Sequence, residues 1–273
     1  MNPYWVVPRL PGEADASHAV RSGRIYFEAQ ERENAEWWRR IGTAVDLTGK
    51  RVLEIGCGHG ALCLDAATRG AAQVTGVDLD AGRVQFARDH LQTHHPRHSE
   101  RVHFLQAPVE QLPVAETFDV VLSKDTFEHV QELDRLLEEV ARRLRKGGLL
   151  VCGFSPLYYS PNGDHGRYGL PLPWMHAFLP QPFVLRWATR RLGRPIRSAA
   201  DVGLNRLTLR EFRAMLPPSE WEVVSLRINP IANPLRPMFD LLRKVPPLER
   251  FFTIGVYGVF RRRNAPAAPR SLR

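Results

Sequence analysis

Cysteine is scarce in this chain of 273 residues. Cys57, Cys63 and Cys152 are an odd number with no Cys-x-x-Cys pair, which argues against both a disulfide framework and a zinc site. They read as small buried residues. Long apolar runs are also missing. Hydrophobic residues make up 44% of the sequence, yet no stretch reaches the roughly 18 consecutive apolar residues that a spanning helix requires, so a soluble protein is expected. Met1 to Pro11 carries Trp5, prolines and Arg9 but no apolar run of signal-peptide length. No export signal is therefore expected, and the cytoplasm is the expected compartment. Acidic residues are the minority charge, 29 against 38 basic, giving a net charge of +9. The basic residues are spread over Arg142, Arg143, Arg145, Lys146, Arg186, Arg190, Arg191, Arg194, Arg197 and Arg261 to Arg263. They lack the interleaved aromatic ladder that single-stranded nucleic acid needs. They are expected to form a solvated surface, one that allows peripheral contact with an anionic membrane.

What is present is alternation. Arg51 to Ile55, Gln73 to Val77, Val102 to Gln106, Phe118 to Ser123 and Leu149 to Phe154 are short apolar runs bounded by turn residues, the pattern of buried strands. Helical spacing lies between them at Ala61 to Arg69, Ala81 to Gln92 and Glu132 to Arg145, with Lys146-Gly147-Gly148 expected to cap the last. Strands joined by helices imply a parallel sheet, because a parallel pair needs a connection long enough to recross the sheet. With Trp221 to Ile228 and Ile254 to Phe260 added, the expectation is an α/β, Rossmann-like, doubly wound sheet of seven mostly parallel strands with helices on both faces. Ser155 to Arg206 interrupts the rhythm with prolines and aromatics. It reads as a partly helical insertion over the active-site edge. Thr208-Leu-Arg-Glu211 then reads as a capping box opening a helix through Leu216. The domain expected is a single one over 1–263, with 264–273 a disordered tail.

The strongest local signal is Val52-Leu-Glu54-Ile-Gly56-Cys-Gly58-His-Gly60, a strand running into a glycine loop that opens a helix. Glycines let backbone approach a ligand, and free N–H groups at a helix start attract an anion. Asp78 ends the second strand, near the spacing at which an acidic residue meets a ribose hydroxyl. Taken alone, Gly56-Cys-Gly58-His-Gly60-Ala61 also satisfies the relaxed dinucleotide pattern, so a nicotinamide dehydrogenase stays open at this point.

The full set of motifs resembles the class I S-adenosylmethionine methyltransferases, with core motifs like those of the ubiquinone-biosynthesis type. The set is the Glu54-x-Gly56-x-Gly58-x-Gly60 loop, Val74-Thr-Gly-Val-Asp78-Leu-Asp80, Phe118-Asp-Val-Val-Leu-Ser-Lys-Asp125 with Phe127-Glu-His-Val130, and Leu144-Arg-Lys-Gly-Gly-Leu149. The resemblance covers residues 50 to 154. It implies that S-adenosylmethionine is the cofactor and S-adenosylhomocysteine the product. It also implies that Gly56 and Gly58 pack against the methionine part, Glu54 holds the loop and the amino group, Asp78 binds the ribose hydroxyls and Leu79 flanks the adenine, with Gly60 among the cofactor-binding residues. Lys124 joins this set. One departure is Ala107-Pro-Val-Glu110 in place of the family's frequent Gly-Asp-Ala, which shifts adenine recognition to backbone near Val109, to Glu110 or to water, or else lowers the affinity.

On the acceptor side, His129 and His165 are the candidate bases, since a hydroxyl acceptor benefits from one. His90, His94, His95 and His98 lack zinc geometry and read as a solvated helix end, so no metal is expected. Lys124-Asp-Thr-Phe127 differs from the Asn/Asp-Pro-Pro-aromatic motif of enzymes that methylate exocyclic base amines, which disfavours nucleic acid. The insertion motifs Tyr158-Tyr-Ser-Pro161, Gly163-Asp-His165, Pro173-Trp174 and Asn205-Arg-Leu-Thr208 resemble bacterial methyltransferases of glycan, lipid or natural-product pathways. The reading is methyl transfer to a small-molecule, lipid or glycan acceptor, at oxygen. The alternatives are an RNA or protein methyltransferase, a non-catalytic S-adenosylmethionine-binding protein, and an NAD-dependent dehydrogenase. Tyr26, Phe27, Trp37 and Trp38 sit on a helix that either covers the cofactor or packs on the sheet.

Overall fold

The computed structural model describes residues 14–113, 115–230 and 234–263; the expected disordered tail and the segment read for an export signal lie outside these residues. The strands are β1 (Arg51–Ile55), β2 (Gln73–Asp78), β3 (Val102–Gln106), β4 (Phe118–Lys124), β5 (Leu144–Phe154), β6 (Trp221–Ile228) and β7 (Val256–Arg262). The helices are α1 (Asp15–Ile41), α2 (Ala61–Thr68), α3 (Ala81–His94), α4 (Leu133–Arg143), α5 (Met175–Phe178), α6 (Gln181–Leu192), α7 (Leu209–Ala214), α8 (Arg236–Leu242) and α9 (Glu249–Phe252). All seven strands join one sheet in the order β3-β2-β1-β4-β5-β7-β6. The first five pair in parallel, and β7 runs antiparallel to both β5 and β6. The strand order reverses between β1 and β4, so the ends of these strands frame a crevice.

The two-residue period of the strands sorts their side chains into two cores. Leu53, Ile55 and Val121 face a core with Leu137, Val140 and Phe212 of α4 and α7. Val52, Val120 and Leu122 face the other, with residues of α1, α2 and α3. A third cluster lies wholly within the insertion and includes Tyr168, Val184, Ala188 and Ile196. No helix among the described residues is long and apolar enough to cross a membrane.

The boundaries depart from expectation in four places. The helix α4 stops at Arg143 rather than at the glycine pair. Leu144 already pairs with Phe118, and Arg145 to Gly148 form an irregularity before Leu149 meets Val120. The strand β3 is an edge strand with alternating burial, not a buried one. At the last strand, the Asn229 side chain accepts from the N–H of Ile254 at 2.7 Å and that of Gly255 at 3.3 Å, delaying the start of β7 to Val256. His98 is buried, close to Arg97 and Arg101, rather than solvated. Among the described residues no group of side chains could hold a metal.

The capping box at α7 is present: Thr208 Oγ1 accepts from Glu211 N–H at 3.2 Å, and Glu211 Oε2 accepts from Thr208 N–H at 2.8 Å. Phe212, one residue further, is fully buried against Phe127, Phe154 and Phe260. By chemical denaturation, Thr208→Ala is expected to cost about 1 kcal/mol. Phe212→Ala is expected to cost about 3–5 kcal/mol, because it opens a cavity between the sheet and α4.

Candidate active site

The glycine loop after β1 is strapped to the end of β2. Gly56 and Cys57 donate their N–H groups to Val77 O at 2.9 and 3.0 Å, and Gly58 donates to Asp78 Oδ2 at 2.9 Å. Asp80 N–H meets Asp78 Oδ1, also at 2.9 Å. Each Asp78 oxygen keeps a further acceptor position, enough for a pair of hydroxyls. Gly58 has φ +52°, and a Cβ there would point into open space. Gly60 differs. At φ +87° it opens α2, and a Cβ would lie 2.6 Å from the Phe104 ring. The last glycine of the motif is therefore demanded by packing and does not line the crevice.

The crevice is a cavity of about 930 Å³, bounded by Glu54, Gly56, Gly58, Asp78, Leu79, Val109, Glu110, Lys124 and His129 among others. This is the upper part of the usual range for small-molecule sites. Leu79 is exposed at the rim, while Val109 is buried beneath the wall. Pro108 precedes a short 3₁₀ turn over Val109–Gln111, whose first N–H groups have no partner within the turn. The wall is held from behind by Arg143, only 3% exposed, which donates to the carbonyls of Leu112 and Pro113 and pairs with Glu139 at 2.6 Å. Sequence reasoning placed this arginine on the solvated surface; the carbonyls it holds lie some thirty residues away, so the local pattern gave no sign of it.

At the other end Glu54 is 3% exposed, and its Oε2 atom has no hydrogen-bond partner. Burial pushes its carboxyl up to about 8. Lys124, 7% exposed, donates from Nζ to Gln30 O at 3.2 Å and to Asn34 Oδ1 at 2.9 Å. Asn34 in turn donates to Ala61 O at 3.1 Å. Helix α1 is thus pinned across the ends of β4 and α2. Its aromatics divide between the core and the cavity. Trp37 and Trp38 pack inward, donating to Gly153 O and Asp65 Oδ2, while Tyr26 lines the cavity, its ring 4.8 Å from that of His59.

His129 lines the cavity and His165 does not. The Nδ1 atom of His129 lies 2.8 Å from Gly203 O, so it must carry the proton and leave Nε2 as an acceptor. Burial lowers this imidazole to about 4, and that of His165 to about 3. His165 donates from Nε2 to Pro156 O at 2.9 Å and stands edge-on to His129, with ring centroids 5.1 Å apart. It supports the first histidine. Asp125, which sequence reasoning quoted but did not nominate, also lines the cavity. It sits at φ +48°, just past β4, and burial raises its carboxyl to about 6. Its signal was available, as a polar residue at the carboxyl end of a central strand.

Residues 53–152 match the family described as methyltransferase domain. Those residues contain the glycine loop, Asp78 and the β4 and β5 motifs that resemble the class I S-adenosylmethionine methyltransferases. The chain is 33% identical over 144 residues, 53% of this chain and 50% of the relative, to a ubiquinone biosynthesis O-methyltransferase of Bradyrhizobium sp.. It is 39% identical over 113 residues, 41% of this chain and 42% of the relative, to a phthiotriol/phenolphthiotriol dimycocerosates methyltransferase of Mycobacterium ulcerans. The chain thus spans about half the length of the curated relatives it matches. Among solved structures, an S-adenosylmethionine-dependent methyltransferase from Mesorhizobium loti superposes with a TM-score of 0.56 at 19% identity. That match covers 85% of this chain and 100% of the other, and it shows the shared fold.

The cavity suits this family's cofactor. Glu54 offers an orphaned carboxylate oxygen to an ammonium group, Gly58 leaves room for close approach, and Asp78 has acceptor positions for a diol. An ammonium beside Glu54 favours its ionised form, whereas the free protein holds it protonated at pH 7. Binding of S-adenosylhomocysteine at pH 7 should therefore release a proton, seen by calorimetry in buffers of different ionisation enthalpy. Affinity should rise as pH climbs toward about 8. Glu54→Gln should bind more weakly, release no proton and show a flat profile.

Proposed function

We propose that this chain is an S-adenosylmethionine-dependent methyltransferase acting at oxygen on a small-molecule acceptor of the lipid or glycan class. The observation that carries this reading is that one cavity has on its wall both Glu54 and Asp78, suited to hold the donor, and the acid–base groups Asp125 and His129. The relatives named for ubiquinone biosynthesis and for phthiotriol dimycocerosates support a lipid-like acceptor.

The cofactor supplies an electrophilic methyl group on a sulfonium. Asp78 would accept hydrogen bonds from its ribose hydroxyls, and Glu54 would pair with its amino group. Val109 and Glu110 present backbone N–H groups to the adenine edge, a task that Pro108 cannot share. Methyl transfer is an in-line displacement, so the remaining task is to align the acceptor oxygen and dispose of its proton. His129 Nε2 accepts the hydroxyl hydrogen bond, its orientation fixed by Gly203. At about 4, its imidazole is a weak base near neutral pH. The Asp125 carboxylate, raised to about 6, is better matched to take the proton of the acceptor hydroxyl. Tyr26 and helix α1 keep water away from the transfer path.

Calorimetry with S-adenosylmethionine, S-adenosylhomocysteine and NAD(H) tests the cofactor. Asp78→Ala should weaken binding of the first two by at least about tenfold, consistent with two lost charge-assisted hydrogen bonds. Binding of NAD(H) alone would overturn the reading. In a screen of hydroxylated lipids and glycans, Asp125→Asn and His129→Gln should keep cofactor affinity and lose roughly 10²-fold or more in turnover. Wild-type turnover should fall as pH drops through about 6, where Asp125 becomes protonated; a protein that only binds the cofactor would show no turnover with any acceptor.

A further inference from the structure

The outer face of the insertion is built against the usual order of a folded surface. Helix α6 buries Val184 and Ala188 and turns Phe183 and Trp187, one turn apart, to the exterior at 44% and 43% exposure. Arg186, Arg190 and Arg191 are exposed on the same helix, and among the described residues none of them pairs with a carboxylate. Helix α8 repeats the inversion. Phe239 points inward at 3% exposure, whereas Met238 and Leu241 stand out at 45% and 65%.

Helix α5 joins the two: Gln181 at the start of α6 donates to His176 O of α5 at 3.0 Å, and aromatic rings lock α5 and its flank to α8 and α9. Trp174, just before α5, lies 6.0 Å from Phe239 and 5.7 Å from Phe252 between ring centroids, and its Nε1 donates to Phe251 O. Phe178 at the end of α5 stacks on Phe251 at 4.8 Å, yet remains 64% exposed. Charge collects here as well. Residues 155–206 hold seven basic and two acidic residues, and 229–253 hold four basic and two acidic, so these two segments carry seven of the nine net positive charges.

We infer that this patch docks the protein onto an anionic lipid bilayer, with the exposed rings and aliphatic side chains entering the headgroup boundary and the arginines meeting lipid phosphates. The combination of protruding aromatic and aliphatic side chains with unpaired arginines is that of an interfacial surface. Nucleic acid fits less well, because bases stack on rings and gain little from Met238, Leu241 and Val245. A second copy of the chain fits less well too. A two-fold contact would bring like patches together, and the one acidic residue of α8, Asp240, is already shared by Arg236 and Arg243. The inference is independent of methyl transfer, since docking is read without cofactor or acceptor.

The test is flotation of the full chain with vesicles of phosphatidylcholine alone and with about one third phosphatidylglycerol. The chain should float with the anionic vesicles, not with the neutral ones, and raised salt should weaken the association. The double variant Trp187→Glu/Leu241→Glu should lose about tenfold in vesicle affinity, and Arg190→Gln/Arg191→Gln a similar factor, with melting temperature and S-adenosylhomocysteine binding retained. Should the hydrophobic pair prove unfolded, the arginine pair, whose side chains are exposed on α6, decides alone. No flotation on anionic vesicles, equal flotation of folded variants, or a solution dimer that the same substitutions dissociate would overturn the inference. Displacement of the vesicles by polyuridylate at equal charge would assign the patch to nucleic acid and overturn it as well.

Discussion

The glycine loop and the second strand hold each other. Val77 O takes two N–H groups from the loop, and Asp78 takes a third through its side chain. Without those bonds the loop between β1 and α2 would be an unsupported run of three glycines, whose backbone freedom is costly to quench. With them, the loop is a fixed concave surface at the reversal point of the sheet. Asp78 then serves two ends at once: it fixes the loop that shapes the cavity and it offers the remaining lone pairs of its carboxylate to whatever the cavity holds.

A second constraint is charge. Lys124 and Glu54 are both nearly excluded from water, and each would be costly alone. Lys124 solves its part by reaching a carbonyl and an amide oxygen of α1, so that the first helix of the chain becomes the counter-structure of a strand end some ninety residues later. Glu54 solves its part only half way, staying protonated near neutral pH with one oxygen unused. A buried polar atom without a partner is rare in a settled core and is expected where a ligand completes the bonding. The imbalance at Glu54 is thus itself a mark of a binding site.

The sequence was legible wherever structure is local. Strand positions followed from short apolar runs, the α7 start from Thr208 and Glu211, and the loop and Asp78 from their spacing. What escaped reading was set by residues distant in the chain. Nothing near Arg143 announces that it holds carbonyls of the Glu110–Pro113 stretch, nothing near Gly60 announces Phe104, and the Gly147-Gly148 pair resembles a helix cap until Leu144 is seen paired with Phe118. His129 and His165 looked equivalent as candidate bases, and only tertiary contacts separate them: one faces the cavity, the other braces it.

The insertion shows why such separation arises. Its inner side returns to the core through Asn205, whose side chain donates to Phe127 O at 2.6 Å and Val130 O at 2.8 Å, and through Gly203, which fixes the tautomer of His129. Its outer side carries rings and arginines that the small internal cluster around Tyr168 does not need for its own stability. A segment serving only as a spacer would satisfy its polar groups and present a polar exterior. One that anchors an acid–base residue on one side and keeps apolar surface exposed on the other is under two demands. Under the proposed function and the inferred docking, both demands have one physical source: an apolar acceptor is met more favourably at a bilayer surface than in water.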